Sequence, residues 1–114
     1  MSLTAERVTK VKLQRVIEVL GGQSEAARVL GVHRSRITRW LAGQEPDPRN
    51  KAKLEALEFI VARLLQVFLP ETARDWLTGF HPLLHNHQPL YLIKCNRIAE
   101  VLAAIEQDEA GSYT

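Results

Sequence analysis

The spacing of apolar and polar residues predicts two short helices joined by a tight turn between residues 23 and 42. The first helix has one apolar face, made by Ala26, Ala27 and Leu30. Gly31 then interrupts the periodicity where the chain needs a left-handed turn residue, a conformation that glycine adopts without steric cost. The pattern resumes with a second apolar face, made by Val32, Ile37, Trp40 and Leu41. This order of elements is typical of a DNA-binding helix-turn-helix.

The polar face of the second helix has the chemistry expected of a surface that reads DNA. Its residues are His33, Arg34, Ser35, Arg36, Thr38 and Arg39. Arginine can donate two parallel hydrogen bonds to guanine O6 and N7, and it also pairs with phosphate. Two roles are therefore open to Arg34 and Arg39, a base contact or a phosphate contact. The alternative is an ordinary solvated helix face, but the glycine turn and the ordered apolar positions favour DNA binding.

Gln23 and Ser24 open the first of these two helices. The first backbone N–H groups of a helix have no intrahelical partner and can hold a phosphate oxygen. We therefore include both residues in the predicted DNA-binding surface.

The remaining pattern predicts an all-α fold in which an N-terminal helix-turn-helix module is joined by a long helix to a small C-terminal helical module. A first helix carries Val11, Ile17 and Leu20 on its apolar face, with Val8 and Leu13 nearby, and ends at Gly21. Residues 43–50 form a turn-rich linker, which divides the chain into a DNA-binding module at 1–50 and a second module at 51–114.

The longest helical pattern spans residues 51–69, and its apolar stripe is widened by Phe59 and Ile60. Two interpretations remain open for this stripe. It could be a central core helix, or part of it could be a dimer interface, because operator-binding proteins of this type usually pair.

After Pro70 the pattern is broken by Pro82 and Pro89, and Asn96 is the predicted N-cap of a last helix whose core face is Ile98, Val101, Leu102 and Ile105.

Charge is distributed unevenly between the two halves of the 114-residue chain. Residues 1–53 hold eleven Lys/Arg against five Asp/Glu, and residues 54–114 hold four against eight, so the halves carry +6 and −4 within a net charge of +2. A basic half suits a polyanion, whereas an acidic half would be repelled by it. This asymmetry indicates two different binding tasks.

Several classes of protein are not supported by the sequence. A single cysteine, Cys95, cannot form an internal disulfide and fits a reducing cytoplasm. We find no secretory signal and no apolar run of membrane length. No nucleophile elbow, phosphate loop or carboxylate pair appears, so we expect no enzyme activity and no cofactor. His81, His85 and His87 lack the paired spacing of structural zinc sites, so we expect no metal.

The second half of the chain resembles the Xre/MbcA/ParS-type antitoxins of RES–Xre toxin–antitoxin systems. The likeness is carried, in order, by Trp76-Leu77, Pro82-Leu83-Leu84, Pro89-Leu90 with Ile93, and Val101-Leu102 through Ile105-Glu106. A short tail after Gly111 with an aromatic residue near its end is also similar. The segment between Pro82 and Pro89 departs from the family because it is rich in histidine.

The resemblance implies a cytoplasmic antitoxin that binds and neutralises a RES-domain toxin, which is an enzyme that degrades NAD. Antitoxins of this family often also repress their own operon. The resemblance also implies a homodimer or a hetero-oligomer with the toxin. The toxin-binding residues it implies are Trp76, Leu83, Leu84, Ser112, Tyr113 and Thr114. For Trp76 a second role stays open, as an anchor of the C-terminal module. Tyr113 would plug the active-site entrance of the toxin, since a tyrosine ring adds apolar area and a hydroxyl; the other interpretation of this residue is a disordered terminus.

Two further hypotheses remain open at this stage. One is a stand-alone transcriptional repressor of the phage-repressor type, whose C-terminal half only dimerises. The other is a pure interaction protein that no longer uses its helix-turn-helix. A RES-domain protein encoded next to this chain, and salt-sensitive DNA binding, would favour the antitoxin over both.

Overall fold

The all-α class predicted from the sequence is confirmed. The computed structural model describes residues 5–111, and the side chains of residues 7–109. In this range the regular elements are seven α-helices and one short 3₁₀ turn, Pro82–Leu84. The helices are α1 (Ala5–Leu20), α2 (Gln23–Leu30), α3 (Arg34–Leu41), α4 (Pro48–Leu65), α5 (Pro70–Thr78), α6 (Pro89–Lys94) and α7 (Ile98–Gly111).

The chain divides into two compact units, Met1–Phe59 and Ile60–Thr114, so that the division falls inside α4. The sequence-based division at residue 50 assigns the whole of the long helical pattern to the second module. In the first unit, α1, α2 and α3 all contact one another. Its buried apolar side chains include Leu13, Val16, Val19, Ala26, Ala27, Leu30, Ile37, Trp40, Leu54 and Leu57.

The buried face of α1 differs from the predicted one. Val11 is 48 % exposed, whereas Leu13, Val16 and Val19 are fully buried. These three residues recur every third position, which keeps them on one side of a helix with 3.6 residues per turn. Placing Val11 on the core face was therefore wrong. Charged side chains on the rest of α1 pair with α4, where Arg15 Nη1 lies 2.6 Å from Glu58 Oε1.

Helix α4 begins three residues earlier than predicted and ends four residues earlier. Asp47 precedes it, and its side chain accepts from the backbone N–H of Asn50 at 3.4 Å. Pro48 occupies the first helical position, where its missing N–H costs no hydrogen bond. The predicted linker therefore ends in a capped helix start. On α4, Ile60 is buried and Phe59 is 53 % exposed.

The second unit is built from the end of α4, α5, α6, α7 and the 3₁₀ turn. Its buried apolar side chains include Ile60, Val61, Leu64, Ala73, Trp76, Leu77, Leu84, Leu92, Val101, Ala104 and Ile105. Pro70, Pro82 and Pro89 each lie in the first turn of a helical element, as their fixed φ angle favours. Helix α6 contacts both α5 and α7, and α7 also contacts the 3₁₀ turn.

Polar contacts tie α7 to the helices that precede it in this unit. The indole Nε1 of Trp76 donates to Asp108 Oδ2 at 2.5 Å, and Arg63 Nη2 lies 3.2 Å from Glu109 Oε1. A buried indole that has a hydrogen-bond acceptor avoids the cost of an unpaired donor.

Asn96 ends α6 instead of capping α7, so its assignment as an N-cap was wrong. Its φ angle is 63°, in the left-handed region, and α7 begins only at Ile98. The Asn96 N–H bonds to the carbonyl of Ile93 at 3.0 Å, and the Arg97 N–H bonds to that of Leu92 at 2.9 Å. This pair of bonds is the Schellman arrangement, which requires a left-handed residue; after glycine, asparagine tolerates that conformation best.

No helix of the described range 5–111 combines the length and the apolarity needed to cross a membrane.

The left-handed conformation of Asn96 predicts an ordered pair of mutational effects. Asn96→Ala should lower the free energy of unfolding by about 1 kcal/mol more than Asn96→Gly does, because a Cβ without a local polar group is strained in this region. Urea unfolding followed by circular dichroism at 222 nm measures both variants. Equal stability of the two variants would show that this residue does not need a left-handed conformation.

Candidate functional site

A left-handed glycine forms the turn between α2 and α3, as the sequence predicts. Gly31 has φ 72° and ψ 33°. Its N–H bonds to the carbonyl of Arg28 at 3.2 Å, and the Val32 N–H bonds to that of Ala27 at 3.0 Å. These bonds satisfy the last carbonyl groups of α2 and end the helix in a tight turn, three residues before α3 begins. The turn therefore brings α3 back against α2.

His33 fixes the start of α3. Its Nδ1 accepts from the backbone N–H of Ser35 at 3.1 Å and lies 2.9 Å from the Ser35 hydroxyl. A side-chain acceptor at this position satisfies one of the free N–H groups at the start of a helix. This role of His33 is structural, and its side chain is also exposed next to the predicted DNA-binding residues.

Two buried residues determine which side of α3 faces solvent. Ile37 is fully buried and Trp40 is 4 % exposed, so the core role predicted for Trp40 is confirmed. The predicted DNA-binding residues of this helix are all exposed: Arg34, Ser35, Arg36, Thr38 and Arg39. The structure thus brings them together on one continuous polar surface.

The start of α2 lies beside this surface. Thr38 Oγ1 donates to Gln23 Oε1 at 3.3 Å, which connects α3 to the first residue of α2. Ser24 is exposed one residue further on, and the residue before α2, Gly22, offers no side-chain cap. The first N–H groups of α2 are therefore not satisfied by a capping side chain.

The three arginines of α3 differ in their partners. Arg36 Nη1 lies 3.5 Å from Asp47 Oδ1, at the other edge of the helix from Thr38. Arg39 folds back along the helix and donates to the carbonyl and the hydroxyl of Ser35 at 3.4 and 3.3 Å. Neither Arg34 nor Arg39 has an acidic partner among the described side chains. Both keep their charge available to an anion.

A hydrogen bond from the Asn50 side chain, at 2.6 Å, lowers the pKa of the Asp47 carboxyl below its usual value; a backbone bond from Asn50 and the charge of Arg36 act in the same direction. Asp47 is therefore ionised at neutral pH and keeps its attraction for Arg36.

Two basic residues that sequence reasoning missed lie next to Arg36. Arg49 and Lys53 belong to the first two turns of α4 and line a concave groove with Arg36, His33 and Asn50. Their spacing of four residues places them on one side of a helix. The four-residue spacing of Arg49 and Lys53 is visible in the sequence. It was missed because the start of α4 was placed at Lys51, which left Arg49 in a linker.

The predicted partner-binding residues of the second unit are divided between core and surface. Trp76 is 7 % exposed and Leu84 is 2 % exposed, whereas Leu83 is 51 % exposed. His81 holds this region together, because its Nε2 lies 2.7 Å from the carbonyl oxygen of Trp76 and its ring lies 4.6 Å from the indole. Ser112, Tyr113 and Thr114 lie outside the described residues.

Two further apolar side chains near Leu83 in the sequence are also exposed. Phe80 is 71 % exposed and Tyr91 is 50 % exposed, and the ring of His87 lies 5.3 Å from that of Tyr91. His81 and His87 pair as an isolated antiparallel bridge, which closes the histidine-rich segment into a compact loop. Sequence reasoning missed Phe80 and Tyr91, because single aromatic residues next to prolines do not show which way they face.

The histidines do not form a cluster suited to metal binding. Among the described residues, no group of three or more His, Cys, Asp or Glu side chains is placed to hold a metal ion. Cys95, the single cysteine, is exposed.

No protein-family model matches this sequence, and no curated protein matches it. A solved structure does match. A chain of the crystal structure of the M. tuberculosis MbcT–MbcA toxin–antitoxin complex superimposes with a TM-score of 0.78 and 27 % sequence identity. The match covers 91 % of this chain and 96 % of that chain.

Because the match includes nearly the whole of both chains, the likeness extends to both units and not only to the first. The similarity to MbcA-type antitoxins indicated by the order of motifs in the sequence is thereby confirmed: the chain has the fold of a component of a toxin–antitoxin complex.

Proposed function

We propose that this chain is an antitoxin that binds and neutralises a RES-domain toxin that degrades NAD, and that it represses its own operon through α2 and α3. In this proposal it acts by binding and not by catalysis. The observation that carries the proposal is the structural match to the MbcT–MbcA complex over 91 % of the chain. Two parts of the proposal go beyond that match and rest on the sequence motifs: that the toxin is a RES-domain enzyme, and that the chain represses its own operon.

The DNA-binding part of the proposal is supported by the exposed surface of α3. Arg34 and Arg39 lie on it without acidic partners in the described range, beside the uncapped start of α2. Base edges accept hydrogen bonds from arginine, and phosphates accept them from arginine, hydroxyl and backbone N–H groups. The α3 surface and the start of α2 supply all of these donors.

The toxin-binding part is supported by the exposed apolar side chains of the second unit. Phe80, Leu83 and Tyr91 are each at least half exposed. Large apolar side chains grouped at the surface are typical of protein interfaces, and aromatic residues are enriched there. We propose that these three residues contact the toxin.

Trp76 and Leu84 have a different role in this proposal. Their side chains are buried, so they position the segment that carries Leu83. The hydrogen bond from Trp76 to Asp108 connects α5 to α7, and the contact of His81 with the Trp76 carbonyl connects α5 to the residues just before Leu83. Ser112, Tyr113 and Thr114 remain proposed plugging residues, on the strength of the family resemblance alone.

The proposed toxin surface predicts that a charge placed on it weakens inhibition. The RES-domain protein encoded next to this chain is purified, and its NAD consumption is titrated with wild-type chain and with Leu83→Asp. Losing one buried leucine contact costs about 1.5–3 kcal/mol, so the variant should need about 10- to 100-fold more protein for half inhibition.

Tyr113→Ala should weaken inhibition in the same assay if the tail enters the active site.

Val11→Asp is the matched control, because Val11 is 48 % exposed on the first unit. It should inhibit as well as the wild type. Full inhibition by Leu83→Asp would remove Leu83 from the interface while leaving the antitoxin role intact. No inhibition by the wild-type chain would remove the antitoxin role and leave a stand-alone repressor.

The proposed reading surface predicts a sequence-dependent loss for Arg39→Ala. If Arg39 contacts a base, the variant should lose about 1–3 kcal/mol of affinity for its operator and little for random DNA. Binding to labelled duplexes from the region upstream of the operon, and to shuffled duplexes, measures both. Arg97→Ala in the second unit is the charge-matched control. An Arg39→Ala variant that binds both duplexes like wild type would contradict a role of this residue in DNA contact.

A further inference from the structure

Three basic side chains from two helices line one concave groove at the edge of the first unit's polar surface. Arg36 comes from α3, and Arg49 and Lys53 come from the start of α4. The groove has a volume of about 500 Å³, and the turn residues Gly31, Val32 and His33 also line it. The DNA-binding surface predicted from the sequence did not include Arg49 or Lys53.

The electrostatics of this groove favour an anion. Its lining includes one acidic side chain, Asp47, against three basic ones. Asp47 is engaged by the Asn50 amide at 2.6 Å and by Arg36 at 3.5 Å. Its charge therefore offsets that of Arg36, and the positive charges of Arg49 and Lys53 remain.

Arg49 and Lys53 differ in how they are held. The Lys53 ammonium donates to the carbonyl of Leu30 at 3.2 Å, at the end of α2, which fixes it against the groove wall. An ammonium group has three donors, so this bond leaves donors for a ligand. Arg49 is exposed, and within the described residues it makes no ion pair. Its guanidinium is therefore free to meet an anion.

Two contacts define where the groove lies relative to the reading surface of α3. Thr38 bonds to Gln23 at one edge of α3, and Arg36 pairs with Asp47 at the other. Residues two positions apart point about 200° away from each other around a helix. The start of α2 and the basic groove therefore lie on opposite flanks of the exposed strip that carries Ser35 and Arg39.

We propose that this groove binds a backbone phosphate of DNA, with Arg49 as its main ligand and Lys53 and Arg36 beside it. The proposal rests on the DNA binding proposed above. A helix in the major groove has a phosphate backbone on each side, and phosphate contacts set its position. The start of α2 would serve one backbone and the Arg49 groove the other. Guanidinium groups match the oxygens of a phosphate with paired hydrogen bonds.

The test is the salt dependence of DNA binding by Arg49→Gln in the full-length chain. Fluorescence anisotropy is measured on two labelled duplexes of about 30 base pairs, one from the region upstream of the operon and one of shuffled sequence, between about 50 and 200 mM KCl. Loss of one phosphate contact flattens the slope of log affinity against log salt by about 0.9. The ratio of the wild-type affinity to the Arg49→Gln affinity should therefore fall about 3.5-fold between the lowest and the highest salt concentration, equally on both duplexes.

Two variants serve as controls. Arg49→Lys keeps the charge and should keep most of the wild-type slope. Lys94→Gln removes one exposed charge from the second unit and should leave the slope unchanged. Thermal melts of the variants should match the wild type, because the Arg49 side chain makes no ion pair in the described structure.

The possible failures are distinguishable. If the wild-type chain binds neither duplex, the DNA-binding role itself is wrong. If it binds but Arg49→Gln has the wild-type slope, or the same slope as Lys94→Gln, the groove does not bind phosphate. A loss confined to the upstream duplex would make Arg49 a base-reading residue and would also overturn the proposal.

Discussion

The burial of Ile37 and Trp40 fixes the rotation of α3, and the candidate DNA surface depends on that rotation. With these two side chains in the core, a helix of 3.6 residues per turn must direct Ser35, Thr38 and Arg39 outward. The Gly31 turn limits where the helix can begin. A change that rotated α3 would disperse the polar surface even if every polar residue were kept.

The two units present different chemistry to their surroundings. The first exposes arginine and hydroxyl groups along α3 and a basic groove at the start of α4. The second exposes the apolar side chains of Phe80, Leu83 and Tyr91, whereas Trp76 and Leu84 are buried. The first surface suits a polyanion and the second an apolar protein surface. The uneven charge of the sequence likewise predicted two different binding tasks.

The parts of this account that could be predicted from sequence are those set by local pattern. The Gly31 turn follows from a glycine between two apolar periodicities, and Trp40 in the core follows from its spacing after Ile37. The prolines at the starts of α5 and α6 follow from their fixed backbone angle.

The parts that could not be predicted depend on contacts made elsewhere in the chain. The exposure of Val11 is decided by which face of α1 meets the other helices. Asn96 could cap one helix or end another, and only the helix bounds distinguish these roles. Leu83 and Leu84 are adjacent and chemically alike, yet one is exposed and the other buried, because a 3₁₀ turn directs them to different sides.

The central claim is that one chain engages a duplex through its first unit and a toxin through its second. Sedimentation velocity of the chain mixed with the neighbouring gene product and a labelled upstream duplex tests it most directly. We expect one sedimenting species in which the DNA label and both proteins move together, or two binary complexes if the toxin displaces DNA. A chain that sediments with DNA alone, and never with the neighbouring protein at any concentration, would contradict the account.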